Sequence, residues 1–136
     1  MRIVQPEGWP RPRGYANGVL AEGRLLFISG QVAWDEKEQF ASDDIVDQVR
    51  QALKNTLTML DAGGARPEHV VRMTWYITDK HEYKRRGKEI GAVYRQFMGG
   101  HYPSMSMVQV SALMEDRAKV EIETTAVIPE SGPHGA

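Results

Sequence analysis

Two stretches of helical periodicity, separated by one strand-like stretch, constrain the fold of this chain more than any other feature. The first begins at Ser42 and repeats apolar residues every three or four positions, up to a pair of glycines that starts at Gly63. The second begins near Asp79 and ends at Gly99. Between them, residues 71–77 alternate apolar and polar side chains, which predicts a strand with one face on the core.

Two strands are predicted before the first helical stretch. Residues 15–20 and 25–32 are rich in apolar and β-branched side chains, and the Glu22-Gly23 pair between them predicts a hairpin turn. The run at residues 25–28 is almost continuously apolar, which predicts a strand covered on both faces.

Two more strands are predicted after the second helical stretch, at residues 106–113 and 119–128, joined by an acidic turn. The order β-β-α-β-α-β-β has no internal repeat, and the length of 136 residues is typical of one domain. We assign residues 15–128 to this domain. Residues 1–14, with three prolines and two glycines, are predicted to form an extended arm, and residues 129–136 a flexible tail.

Composition excludes several classes of function. The chain has no cysteine, so it has no disulfide, thiolate nucleophile or sulfur-ligated zinc site. A formal net charge of −1 provides no field that would attract nucleic acid or anionic lipid. No apolar run approaches the ~20 residues that span a membrane, and the N-terminus lacks the apolar segment of a signal peptide. We therefore expect a soluble cytoplasmic protein.

Neither the histidines nor the basic residues predict a functional site. The four histidines lack the i, i+4 spacing that places two imidazoles on one helical face, so no metal site is predicted. The basic residues near the second helix have no aromatic stacking platform interleaved among them, since Tyr83 belongs to the apolar side of that helix, and they are typical of a solvated helix face. They are Lys80, Lys84, Arg85, Arg86 and Lys88.

The last strand carries two carboxylates that share one face. Glu121 and Glu123 alternate with apolar residues, so both project from a segment otherwise made for burial. One interpretation is an edge strand that exposes its charge to solvent. In another, Glu121 only forms an ion pair, with Lys119, with Arg72 or with a basic residue of another subunit. A third is that one carboxylate lines a cleft as a general acid or base, or positions a water molecule there.

Two short blocks stand out in the chain: Ile28-Ser29-Gly30-Gln31 and Val120-Glu121-Ile122-Glu123. Together with Tyr15, Pro103 and Leu113, these blocks resemble the RidA family, the YjgF-type reactive-intermediate deaminases that are also called endoribonuclease L-PSP proteins. The resemblance covers about residues 15–127.

This resemblance implies a chorismate-mutase-like α/β (α+β) domain, with a mixed sheet and two helices on one face. It also implies a homotrimer whose sheets form a central barrel, with small-molecule sites in the clefts between subunits. The apolar strand faces around residues 26–28 and 73–77 exceed what two helices cover, which also predicts a trimer. Members hydrolyse an enamine or imine to a carbonyl compound and ammonia, without a metal or an organic cofactor.

The family's site residues carry over by position. Glu121 corresponds to the glutamate that positions or activates the attacking water, and it is the predicted catalytic residue. Tyr15 corresponds to the pocket tyrosine, and Ser29 with Gly30 to the residues that edge the pocket, so these three are predicted to bind substrate.

The chain departs from the family pattern at the position of the substrate-carboxylate arginine. Met105 stands there, and Met107 stands where cysteine is common. Both are predicted to contact substrate, and the alternative is that they pack at the contact between subunits of the trimer. Gly91 replaces a polar residue of the deaminating members. A thioether cannot make the two charge-assisted hydrogen bonds of an arginine, so we expect poor hydrolysis of 2-aminoacrylate. Whether Arg13 or Arg117 supplies the missing cation is open at this point.

Three functions fit these observations, in descending order. The first is a deaminase or related hydrolase for an enamine or imine whose carboxylate is absent or differently placed. The second is a trimer that binds a small molecule in its clefts without turning it over. The third is RNA cleavage or inhibition of translation, against which the nearly neutral charge argues.

Overall fold

The computed structural model describes residues 1–130. In chain order these form β1 (Arg2–Val4), β2 (Gly18–Leu20), β3 (Arg24–Gln31), α1 (Ile45–Ala62), a 3-10 turn (Pro67–His69), β4 (Val70–Ile77), α2 (Lys80–Arg85), α3 (Gly87–Met98), β5 (Ser104–Gln109) and β6 (Val120–Ile128). No helix in this part of the chain has the length and apolarity that a membrane crossing needs. The tail predicted at residues 129–136 lies outside the described residues from 131 onward.

The main sheet has four strands in the order β3-β6-β4-β5. β4 pairs parallel with β5, whereas β6 pairs antiparallel with both β3 and β4. A parallel pair needs a crossover connection, which α2 and α3 provide. The apolar side chains buried by α1 and α3 form one core cluster with Met73, Trp75 and Ile77 of β4. The predicted mixed sheet with helices on one face is therefore confirmed; we call this side the helix face and the other side the open face.

Helix α1 begins and ends close to the predicted positions. The Asp44 carboxylate accepts from the backbone N–H groups of Val46 and Asp47, both at 3.1 Å, so Asp44 rather than Ser42 is the N-cap. The Ser42 hydroxyl accepts from the Asp44 N–H at 3.0 Å and supports the cap. After the helix, Gly64 adopts a φ of 80°, which side-chain-bearing residues disfavour.

The second helical stretch is two helices rather than the one that its periodicity predicts. Arg86 separates α2 from α3 with a φ of −101° and a ψ of 14°. Its guanidinium donates to Asp44 Oδ1 at 2.8 Å and makes two bonds to Glu89, at 2.8 and 3.0 Å. The hydrogen bond from Arg86 is also the main reason that the pKa of Asp44 lies below its ordinary value. These bonds connect the helix break to the start of α1.

Gln48 is a polar residue inside the core, with 1 % of its surface exposed. Its Nε2 donates to the backbone carbonyls of Ser42 at 3.1 Å and Arg117 at 2.9 Å. Its Oε1 accepts from the Lys119 N–H at 2.8 Å. The side chain therefore satisfies backbone groups of two separate loops at once.

We expect Gln48→Ala to lower the free energy of unfolding by about 2–4 kcal/mol, because it leaves two carbonyls and one N–H without their partners. Urea unfolding followed by circular dichroism measures this change. Gln96→Ala removes an exposed glutamine from α3 and is the matched control, with an expected change below about 0.5 kcal/mol. Equal losses in the two variants would contradict this role for Gln48.

The N-terminal region differs most from the sequence-based expectation. β2 does not form a hairpin with β3 but pairs with β1, with Ile3 opposite Val19. β3 pairs instead with β6, which offers a longer partner than the three residues of β2. The hairpin predicted at Glu22-Gly23 is therefore wrong. The predicted arm, residues 1–14, contains one regular element, β1, whose three residues are exposed.

The prediction that β3 is covered on both faces is also wrong within this chain. Leu25 and Phe27, on the open face, are 61 and 73 % exposed, whereas Ile28 on the helix face is 4 % exposed. The apolar residues of β4 that were expected to remain uncovered are buried under the helices. The uncovered apolar surface of the sheet thus lies on its open face, where helices do not reach it.

Candidate functional site

Ser29 and Gly30 lie in a β-bulge of β3. The regular pairing with β6 stops at Ile28 and resumes at Gln31, after three steps along β3 but only two along β6. Such bulges re-aim neighbouring groups and are frequent beside active sites. The Glu121 carboxylate lies directly against Gly30, and a Cβ at this position would collide with it. Gly30 therefore makes the room in which Glu121 lies.

Glu121 is half-buried and makes no hydrogen bond or ion pair with any other side chain of residues 1–130. Lys119, one of the partners considered from the sequence, binds Glu82 instead, with its Nζ 3.3 Å from both carboxylate oxygens. Arg72, another partner considered from the sequence, makes no ion pair with Glu121 in the part of the chain that the structure describes. The Glu121 carboxylate is thus available within the described part of the chain.

Glu123, its neighbour on the same face, is already engaged. It accepts a hydrogen bond from the Tyr76 hydroxyl at 2.8 Å. This hydrogen bond is the main reason that the pKa of Tyr76 is raised, so the phenol stays a neutral donor. The two carboxylates that look equivalent in sequence therefore differ in what they can bind.

Tyr15 lies beside the start of β5. The Ala16 N–H donates to the Pro103 carbonyl at 2.8 Å and ties the segment to this end of the sheet. Tyr15 is 41 % exposed and lines a groove of about 650 Å³ between the N-terminal segment and Tyr102. The groove brings part of the predicted arm against the residues that precede β5.

Met105 lies on the helix face of β5, in register with the buried Met73 of β4. It lines a cavity of about 230 Å³ between β4, β5, α2 and α3. Gly91 and Arg95 of α3 line the same cavity, and Tyr102 borders both this cavity and the groove beside Tyr15.

Four aromatic side chains line the cavity. Tyr94 and Tyr102 stack with their centroids 5.1 Å apart and their planes at 15°, and Trp75 meets Tyr83 edge to face at 6.5 Å. Burial raises the pKa of Tyr83 and of Tyr94, so both phenols stay protonated. The Nε1 of Trp75 is buried and has no hydrogen-bond acceptor within residues 1–130.

The sequence profile of the endoribonuclease L-PSP family matches residues 10–128, which is most of the chain. The chain belongs to the RidA family. The resemblance drawn from the Ser29-Gly30 and Glu121 blocks is therefore confirmed, and the matched region begins within the segment predicted as an arm.

Relatives of this RidA-family chain include named deaminases. The 2-iminobutanoate/2-iminopropanoate deaminase of Salmonella typhimurium is 31 % identical over 130 residues, which cover 93 % of this chain and 97 % of that protein. The Rid-family protein YyfB of Yersinia pestis superposes with a TM-score of 0.83 at 29 % identity, covering 93 % of this chain and 98 % of its own. Escherichia coli TdcF, solved with bound serine, superposes with a TM-score of 0.67 at 32 % identity, covering 94 % of this chain and 99 % of the TdcF chain.

The RidA-type site residues fall into two groups in a single chain. Ser29, Gly30 and Glu121 lie where β3 meets β6, whereas Tyr15 and Met105 lie at β5. β4 separates β5 from β6, which places the two strands ~10 Å apart. The groups also face opposite sides of the sheet, because Met105 points to the helix face and Glu121 to the open face. One chain does not unite them in one pocket.

Three further residues named from the sequence lie outside both groups. Met107 packs against the core and does not line the cavity beside Met105. Arg117 donates to the Asp43 carboxylate at 2.9 Å and to the Phe40 carbonyl at 3.0 Å, so it does not replace the missing arginine within this chain. Arg13 is exposed and lines neither the groove nor the cavity.

Sequence reasoning missed Arg95 and Tyr102. The signal for Arg95 was its spacing of four from Gly91, which places both on one helical face. The signal for Tyr102 was weaker, since only its position directly before Pro103, one of the residues that match the family, marks it. Across residues 1–130, no group of three or more histidine, aspartate or glutamate side chains is arranged to hold a metal ion.

Proposed function

We propose that this RidA-family protein is a cofactor-independent hydrolase of a small enamine or imine other than 2-aminoacrylate. Water adds to the carbon of the C=N bond, a proton moves to nitrogen, and the C–N bond breaks to give a carbonyl compound and ammonia. An enamine enters the same route once it has tautomerised to the imine. We keep the cytoplasm as its proposed location.

The position of Glu121 carries this proposal. The Glu121 carboxylate has no partner among residues 1–130 and is half-buried beside the Gly30 bulge, so it can hold a water molecule and accept its proton as that water attacks carbon. The neighbouring Glu123 is less suited, because the Tyr76 hydroxyl already donates to it. The names of the relatives, which include imine deaminases, support the same class of reaction.

The replacement at Met105 supports the choice of substrate. A thioether in the cavity wall offers contact to apolar groups but no charge-assisted hydrogen bond to an α-carboxylate. The substrate class we propose is therefore a small imine or enamine whose carboxylate is absent or differently placed.

We also propose that the working form is a homotrimer. The two groups of site residues remain apart within one chain, so a second subunit is needed to complete a pocket. Leu25 and Phe27 of β3 leave neighbouring apolar side chains exposed on the open face, and Val108 is exposed on the same face at the opposite edge of the sheet. Exposed neighbouring apolar side chains of this kind are typical of subunit contacts. A heterologous contact of this kind closes into a ring when its rotation is three-fold.

Light scattering at micromolar concentration is expected to give about three times the chain mass of 15.3 kDa. Phe27→Asp is expected to shift the protein to monomer, because it places a charge in the proposed contact. Met114→Asp changes an apolar residue that is 91 % exposed on a turn, and serves as the matched control that stays trimeric. A particle of single-chain mass for the unaltered protein would refute the trimer.

The hydrolase proposal is tested by a panel of acyclic and cyclic imines and enamines that lack an α-carboxylate. Ammonia or amine release is followed with and without the protein, and at least one member is expected to react faster with it. If no member is hydrolysed but some bind in the cavity, the protein is a small-molecule-binding trimer instead.

A further inference from the structure

We infer that the cavity beside Met105 holds an aromatic, anionic part of the ligand, and that Arg95 is the residue that binds its anionic group. The assignment to a substrate rests on the proposed function. The preference of the cavity for such ligands can be measured without any turnover.

Arg95 is placed to act on the cavity because position 91 is glycine. The Nη1 atom of Arg95 lies 3.4 Å from where a Cβ of Gly91 would be, so the guanidinium covers the surface that a side chain there would occupy. Both residues line the cavity with Met105. Two of the departures from the family pattern, at positions 91 and 105, thus line the same cavity as Arg95.

The electrostatics of the cavity favour an anion. Arg95 is the one charged residue among the described residues that line it, and it makes no salt bridge within residues 1–130. Arginine is always charged and presents paired donors that match a carboxylate. Phenols that stay neutral form the adjoining wall, so they do not repel an anion there.

The remaining walls favour a flat apolar body. Four aromatic side chains and one thioether line the space: Trp75, Tyr83, Tyr94, Tyr102 and Met105. Aromatic faces and a flexible thioether stack well on an aromatic ring. A volume of about 230 Å³ exceeds the roughly 150 Å³ of an engineered cavity that accepts benzene, so a phenyl ring with a short acid chain fits.

The position of Arg95 also determines where the acid group lies. An arginine at position 105 would hold a carboxylate against the sheet, whereas Arg95 holds it one layer further out, on α3. The flat aromatic body of the ligand then fills the space between Arg95 and the sheet. The class of ligand is therefore an imine or enamine with an aromatic body that carries its acid group away from the C–N carbon.

Calorimetric titration of the assembled protein with phenylacetate and with its neutral amide, phenylacetamide, tests the inference. The unaltered protein is expected to bind phenylacetate more tightly. Arg95→Gln should weaken phenylacetate binding about tenfold and leave the amide unchanged, because one charge-assisted bond is lost. Arg50→Gln, which removes an exposed arginine from α1, is the matched control and should behave as the unaltered protein does.

A second variant keeps the test independent of any fault in Arg95→Gln. Gly91→Gln retains the arginine but fills the space that its Nη1 occupies, and should also weaken phenylacetate binding. Equal phenylacetate affinity in the unaltered protein and both variants, or no binding of either probe at millimolar concentration, overturns the inference. An Arg95-dependent preference in a protein that hydrolyses no imine would uphold the ligand class while refuting the proposed function.

Discussion

Glu121→Gln is expected to lower the turnover number for imine hydrolysis by roughly 10²–10⁴ while leaving the trimer intact. The amide keeps the shape of the side chain beside Gly30 and can still donate or accept a hydrogen bond, but it cannot take a proton from water. Initial rates on any substrate found in the imine panel, together with light scattering, measure both parts of this expectation.

Glu123→Gln is the matched control, since it changes a carboxylate of the same strand and the same face. Its amide oxygen can still accept from the Tyr76 hydroxyl, so turnover is expected to change by less than about threefold. Equal rates in Glu121→Gln and the unaltered protein would remove Glu121 from the mechanism. For a binding protein without activity, Glu121→Gln would change only ligand affinity, and by a modest amount.

Freshly generated 2-aminoacrylate is expected to be hydrolysed no faster with the protein than without it. The thioether of Met105 supplies neither of the two charge-assisted hydrogen bonds that an arginine makes to an α-carboxylate, and each such bond contributes ~1.5–3 kcal/mol. Trapping of the intermediate with semicarbazide, with and without the protein, measures the effect. Strong suppression of the trapped product would show that another cation already performs the role.

The corresponding gain is expected from Met105→Arg. A guanidinium at this position should raise hydrolysis of 2-aminoacrylate at least about tenfold over the unaltered protein, because it restores the carboxylate contact. Met114→Arg adds the same side chain on an exposed turn and controls for the change in net charge. Equal rates in the two variants would mean that position 105 does not face the substrate.

The elements that the sequence predicts best are those whose signals are local. The apolar stripe of α1 needs only neighbouring residues, and the alternation of β4 reports its burial directly. The partner of β3 is not a local property: residues 24–31 pair with β6, almost a hundred positions away, rather than with the nearby β2. The break at Arg86 also involves a distant residue, because the Arg86 guanidinium donates to Asp44, 42 residues earlier.

The candidate site shows the same division. The approach of Glu121 to Gly30 depends on the register between distant strands, so the family resemblance, and not periodicity, pointed to it. The resemblance could not place Arg95 beside the cavity, because the approach of Arg95 to Gly91, one turn earlier on α3, is seen only in the structure. What a departure from the family pattern does to the site therefore depends on which residues surround it in the folded chain.

The division of the site residues between β5 and the β3–β6 bulge has a genetic consequence under the trimer proposed above. Each pocket would take one half from each of two adjacent chains, so a chain defective in one half would spoil a pocket that it shares with a sound neighbour. In a cell that expresses both alleles, such a defect would be partly dominant. Two chains with defects in different halves would restore some intact pockets when co-expressed, because a mixed ring can bring their two sound halves together.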